Sequence, residues 1–150
     1  MARVRPATAE DEPFLADLLA QTKALEFSLL PPELAPTLIV QQRAAQRQAL
    51  AASGGERVAV GDDGAPLARV VVEPRGDAIH LVDLTVDAAH HRRGIGRALL
   101  RAVIDEASGG GYDVTLLVDH ANAPAQALYG AEGFIAESQD ELGIRMRRPR

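Results

Sequence analysis

The stretch HHRRGIGRALL, residues 90–100, decides how the chain reads. It sets two histidines and two arginines beside Gly94-Ile95-Gly96, then continues as an apolar run at helical spacing. A helix starting near Gly94 has unpaired backbone N–H groups and the positive end of its dipole at that point. Glycines let an anion approach such a backbone closely, and Arg92, Arg93 and Arg97 add positive charge. The junction is therefore either a turn with a solvated basic face or a cradle for a pyrophosphate. Two familiar phosphate loops do not fit. A nucleotide P-loop requires Gly-Lys followed by Ser or Thr, and the dinucleotide fingerprint requires a third glycine where Leu99 stands.

Downstream, Ile95, Ala98, Leu99, Ala102, Val103 and Ala107 are predicted to form one apolar helix face, closed by SGGG at 108–111. DVTLLV (113–118) reads as a short buried strand. Asn122 is placed to cap a helix through about Glu132, with Pro124 tolerated in its first turn. GFIAES and LGIRMRR read as final strands.

Upstream, the period is that of strands, expected near 57–60, 67–73 and 79–86. Asp62-Asp63-Gly64 is a hairpin turn and Pro74 to Asp77 a second turn, so these strands form an antiparallel meander. The chain opens with a short strand around Arg3–Arg5. A helix follows, with Phe14, Leu15, Leu18, Leu19 and Leu25 at helical spacing and acids Glu10 and Asp11 near its start. SLLPPELAP breaks it, and a second helix runs from about Thr37 to Ala51, closed by SGG. The order of elements gives an α/β fold with a mixed sheet, in one domain spanning 1–150.

Composition narrows the function. With 150 residues, 47% hydrophobic and 25% charged, the chain is an ordinary globular domain with room for a sizeable core. A net charge of -5 argues against general nucleic-acid affinity. The absence of cysteine excludes a disulfide framework, a thiolate zinc site and a cysteine nucleophile. No signal peptide or bilayer-spanning apolar run is evident, so no membrane partner and a cytoplasmic setting are expected. His80, His90, His91 and His120 lack metal-ligand spacing, so no metal is expected.

LTVDAAHHRRGIGRALL followed by NAPAQALYGAEGF resembles the GNAT superfamily of N-acetyltransferases. The family's phosphate loop, Gln/Arg-x-x-Gly-x-Gly/Ala, falls on His91-Arg92-Arg93-Gly94-Ile95-Gly96, with His91 departing from the first position. A second motif, Asn-x-x-Ala-x-x-Leu-Tyr-x-x-x-Gly-Phe, falls without a gap on Asn122, Ala125, Leu128, Tyr129, Gly133 and Phe134. VRPATAEDEPFLADLL is similar to the family's first strand and helix, so the likeness covers nearly the whole chain.

The resemblance implies a mostly antiparallel central sheet flanked by helices, with the fourth and fifth strands splayed apart. It also implies acetyl-CoA as acyl donor, its pantetheine arm lying against the backbone of Leu84, Thr85 and Val86. The amides from Arg92 to Ala98 (Arg92, Arg93, Gly94, Ile95, Gly96, Arg97 and Ala98) would hold the pyrophosphate, with His91 alongside. Asn122 would touch the cofactor, or serve as a plain helix cap. Tyr129 would be the general acid that serves the leaving thiolate, or it simply packs. Asp83 and His80 are the further catalytic candidates, Asp83 for the cationic substrate and His80 as base. Alternation sets Asp83 with Leu81 and Thr85, and His80 with Val82, Leu84 and Val86. Their structural alternatives are an ion pair for Asp83 and a hydrogen-bonded core position for His80. Glu26, Glu33 and Asp140 are acids that an amine pocket would use, or ordinary surface charges.

These expectations amount to acetyl transfer to a primary amine of a small molecule by direct attack in a ternary complex. Family members often dimerise, so a homodimer is among the expectations. The alternatives are a non-catalytic acyl-CoA sensor, a protein lysine or N-terminal acetyltransferase, and a different acyl donor.

Overall fold

The computed structural model describes residues 3–51 and 55–150. Its helices are α1 (Glu12–Thr22), α2 (Ala24–Ser28), α3 (Ala35–Leu50), α4 (Ile95–Gly109) and α5 (Ala123–Ala131). Its strands are β1 (Arg3–Pro6), β2 (Arg57–Val60), β3 (Pro66–Arg75), β4 (Ala78–Val86), β5 (Asp113–Val118), β6 (Ile135–Asp140) and β7 (Gly143–Arg148). The strands hydrogen-bond in the order β1-β2-β3-β4-β5-β7-β6. The pairs β1–β2, β2–β3, β5–β7 and β6–β7 are antiparallel, and β4–β5 is parallel. This is the mixed, mostly antiparallel α/β sheet the sequence predicts. The chain forms two compact units, Met1–Val70 with Thr85–Arg93, and Val71–Leu84 with Gly94–Arg150.

In the first unit, a carboxylate braces the turn that precedes α1. Asp11 accepts the backbone N–H of Thr8 at 2.8 Å and both guanidinium nitrogens of Arg5 at 2.8 and 2.9 Å. The Arg5 hydrogen bond holds the Asp11 carboxyl down to about 2. Leu15, Leu18 and Leu19 of α1 are buried, and Leu15 joins Val58 and Val60 of β2 in one apolar cluster. Leu25, expected on the same face, is 80% exposed. The helix breaks at Lys23 (φ -100, ψ 11), which turns the residues after it off the buried stripe. The expected glycine closure of α3 lies partly outside the described residues. What is described is Gly55, whose N–H reaches the Leu50 carbonyl at 3.0 Å with φ +76, a left-handed conformation that suits glycine.

The same unit buries a charge. Arg43 of α3 is 2% exposed and is gripped by two carboxylates. Its Nε and Nη2 donate to Glu12 at 2.8 and 3.1 Å, and its Nη1 and Nη2 donate to Glu56 at 2.7 and 2.6 Å. Gln46 takes a further Nη1 bond at 2.7 Å, while Arg69 and Arg47 brace Glu56 and Glu12 from outside. Burial works to raise the Glu56 carboxyl, but hydrogen bonds from Arg43 and Arg69 overcome it and leave it below its ordinary range. The fork of a guanidinium matches two carboxylates in this way, and it ties α1 and α3 to the segment entering β2.

In the second unit, α4 packs on β5 and buries Leu99, Leu100, Val103, Ile104 and Ala107. The predicted stripe is correct at Leu99, Val103 and Ala107, but Ala98 and Ala102 face outward. The larger Leu100 and Ile104 take the core positions, since burying them removes more apolar area from water. Gly111 (φ +79) supplies the left-handed closure of the helix. Pro74, expected in a turn, belongs to β3, which continues to Arg75 and reverses only at Gly76 and Asp77. Gly76 (φ +63) makes so short a reversal feasible.

Breaking the buried ion network leaves carboxylates without their cation. Arg43→Leu is expected to destabilise the chain by about 3–5 kcal/mol, read from the shift of its urea unfolding curve. A loss below about 1 kcal/mol would show that the network is not a principal tie.

Candidate active site

The site begins with a mismatch of strand lengths. The β4–β5 ladder runs from Ala78↔Asp113 to Leu81↔Leu116 among the described residues. β4 itself continues to Val86 and β5 to Val118. On its far side β5 stays paired with β7 through Val118↔Ile144. The end of β4 thus runs past the ladder that fastens its first half, at Leu84, Thr85 and Val86.

The chain leaving β4 is held at several points. Asp87 donates its N–H to the Leu67 carbonyl at 2.9 Å, and its carboxylate accepts from Ala89 N–H at 3.3 Å. His91, the departure from the family's phosphate motif, bends its ring back onto the Val86 carbonyl at 2.9 Å. A carbonyl only accepts, so the ring donates from Nε2. Arg92 then adopts φ 65, the positive-φ non-glycine residue among those described. Gly94 follows at φ 73 and stands at the N-cap of α4 with no side chain to bond the first turn. The amides of Ile95, Gly96 and Arg97 open a 15-residue helix under a glycine cap, an arrangement suited to an anion. The basic residues differ in their engagement. Arg93 lies 3.3 Å from His90, Arg97 pairs with Glu132 at 3.4 Å, and Arg92 is exposed.

Tyr129 lies on α5, half-buried, its ring tilted against Phe134 with centroids 5.6 Å apart. Burial raises its pKa above 10, and the charge of Asp83 raises it further. The phenol is therefore protonated at neutral pH and shares an electrostatic environment with Asp83. His80 has different neighbours. Its Nδ1 lies 2.9 Å from the Thr115 hydroxyl, across the ladder position that pairs the two residues. It lines a cavity of about 280 Å³ with Arg75, Thr115, Leu117, Glu137 and Arg145. Burial, aided by Arg75, lowers the His80 pKa below 6.5, so the imidazole is neutral at pH 7. Tyr129 thus feels the charge of Asp83, and His80 is joined to Thr115.

Asn122 caps α5, its Oδ1 accepting from Ala125 N–H at 3.2 Å. Glu26 pairs with Lys23 at 3.4 Å, and Asp140 pairs with Arg145 at 2.5 Å. Glu33 sits exposed in a short turn. Sequence reasoning missed Thr115, Glu132, Asp87 and Gln21. Only Asp87, beside the glycine motif, carried a local signal. Among the described residues there is no cluster of three or more metal-ligating side chains, and no helix is long and apolar enough to cross a membrane.

The sequence profile of the acetyltransferase (GNAT) family matches residues 21–134. The mycothiol acetyltransferase of Clavibacter sepedonicus is 47% identical over 111 residues, which are 66% of this chain and 36% of that protein. The chain thus matches little more than a third of that relative's length. The fold is similar to that of PaiA N-acetyltransferase from Thermoplasma acidophilum, solved with coenzyme A. The TM-score is 0.73 at 17% identity, covering 100% of this chain and 99% of that one. It is also similar to the ribosomal-protein-S18-alanine N-acetyltransferase from Escherichia coli, with a TM-score of 0.65 at 22% identity, covering 99% and 94%.

The coupling of Asp83 to Tyr129 is measurable, because the chain has two tyrosines. In a Tyr112→Phe background, Asp83→Asn is expected to lower the Tyr129 pKa in an ultraviolet absorbance titration. An unchanged midpoint would mean that the two groups do not interact.

Proposed function

The chain belongs to the acetyltransferase (GNAT) family, and on that premise we propose that it moves an acetyl group from acetyl-CoA to a primary amine of a small molecule. The observation that carries this reading is a continuous run of backbone. A strand that outlasts its ladder leads into a glycine-capped helix N-terminus. The two parts suit the two halves of coenzyme A. Extended amides pair with extended backbone, as at Leu84, Thr85 and Val86. A pyrophosphate suits the helix-start amides of the stretch from Arg92 to Ala98, with His91 bracing the loop. Asn122 serves as the cap of α5, which fixes the helix bearing Tyr129. The name of the curated relative, a mycothiol acetyltransferase, supports a small-molecule acceptor over a protein.

When bound, acetyl-CoA supplies an activated thioester. The Tyr129 phenol, kept protonated by burial and by Asp83, donates a hydrogen bond or proton to the departing sulfur. Asp83 holds the cationic acceptor near Tyr129 through charge attraction. His80, kept neutral by burial but on the face of β4 opposite Asp83, receives the amine proton by relay through water. The amine attacks in a ternary complex, with no acyl-enzyme, in keeping with a chain that has no cysteine.

The test is coenzyme A release with acetyl-CoA and a panel of polyamines, arylalkylamines, aminoglycosides, amino acids and short peptides. Amine-dependent release is expected, and Tyr129→Phe is expected to lower kcat by about 10²-fold or more. The pH profile has a sign. A base whose pKa is lowered works in its neutral form, so kcat/KM falls as pH drops through a midpoint below 6.5. A raised acid fails only as pH climbs above 10. Tight coenzyme A binding without release for any amine would favour a sensor, and failure to bind would overturn the reading.

A further inference from the structure

The proposed pyrophosphate loop is held by a residue far from it in sequence. Gln21, on the last turn of α1, reaches the start of that loop with both ends of its amide. Its Nε2 donates to the Asp87 carboxylate oxygen Oδ1 at 2.9 Å, and its Oε1 accepts the Ala88 N–H at 3.0 Å. A backbone N–H only donates and a carboxylate only accepts, so the network fixes which end of the amide is which. The same Nε2 also donates to Asp17 at 2.9 Å, one turn earlier on α1. That third bond orients the side chain before it meets the loop. The Asp87 oxygen that receives Gln21 also receives Ala89 N–H at 3.3 Å. One carboxylate oxygen therefore joins α1 to the turn of residues 88–90.

Beyond this turn the chain must pass through two left-handed residues, Arg92 and Gly94, before α4 begins. For a non-glycine residue such a conformation persists only where its surroundings enforce it. Fixing the loop in advance also removes ordering entropy that a ligand would otherwise have to offset. We propose that Gln21 is a positioning residue for the coenzyme A loop, acting through a two-point clamp on Asp87 and Ala88. Gln21 touches no reacting atom in this scheme. The clamp sets the affinity for the acyl donor and leaves the chemical step alone. The inference rests on the reading of residues 91–98 as the pyrophosphate cradle.

The test measures coenzyme A affinity by calorimetry, together with KM and kcat for acetyl-CoA, in the intact chain. Gln21→Met removes both clamp bonds at similar size. It is expected to weaken binding roughly three- to ten-fold, the range of a few exposed hydrogen bonds, with kcat at saturating acetyl-CoA changed less than about two-fold. Asp87→Ala separates the clamp from simple charge. Removing a negative charge beside the loop would tighten binding of an anion, whereas loss of the clamp weakens it. Asp87→Asn keeps an Oδ1 that can accept both bonds and is expected to bind within about two-fold of wild type. Wild-type affinity in Gln21→Met, tighter binding in Asp87→Ala, or a fall in kcat matching the fall in affinity would each overturn the clamp. If the unmodified chain does not bind coenzyme A, the reading of the cradle fails first and the clamp's role falls with it.

Discussion

One rule of backbone chemistry governs the site: a buried or partly buried N–H or C=O group needs a partner. Among the described residues, the β4–β5 ladder runs as far as Leu81↔Leu116, although β4 continues to Val86. β5 itself ends at Val118, where its other edge is still paired with β7 through Val118↔Ile144. The end of β4 thus runs on past that ladder. Such a strand end suits an extended, amide-bearing ligand as it would suit another strand.

The loop between β4 and α4 carries the same logic from strand to helix. His91 folds its ring onto the Val86 carbonyl, Gln21 clamps Asp87 and Ala88, and two left-handed residues turn the chain into α4. Each contact fixes a backbone position upstream of the helix's first amides. Side-chain charge is secondary here, since Arg97 is paired with Glu132 and Arg93 lies against His90. The proposed anion cradle therefore rests chiefly on its amides. Tyr129 and Asp83 are proposed to supply the remaining chemistry, the charge of Asp83 raising the pKa of the Tyr129 phenol.

Local chemistry was legible in the sequence, and long-range partnership was not. The Asp62-Asp63-Gly64 turn, the bounds of β5 and the Asn122 cap follow from residue types at short spacing. The α4 stripe was misjudged by about one position because alanines and bulkier residues alternate there, and periodicity alone does not weigh their size. Leu25 was misplaced because nothing in its neighbourhood announces the break at Lys23. Pro74 reads as a turn from sequence because proline punctuates sequence more strongly than it does this strand, which runs on to Arg75. The glycine motif pointed to its own helix start. Gln21 and Thr115 gave no signal, since their meaning lies in partners 66 and 35 residues away. Arg43 was equally silent, an arginine among glutamines and alanines whose burial is set by two distant glutamates.

The central claim is that one run of backbone, from the end of β4 to the first turn of α4, receives coenzyme A. Amide hydrogen exchange of the intact chain, with and without coenzyme A, tests it most directly. Slowed exchange is expected to concentrate in residues 84–86 and 94–98, where the proposed strand and helix contacts to coenzyme A lie. Binding that leaves those amides unchanged and protects another part of the chain would contradict it.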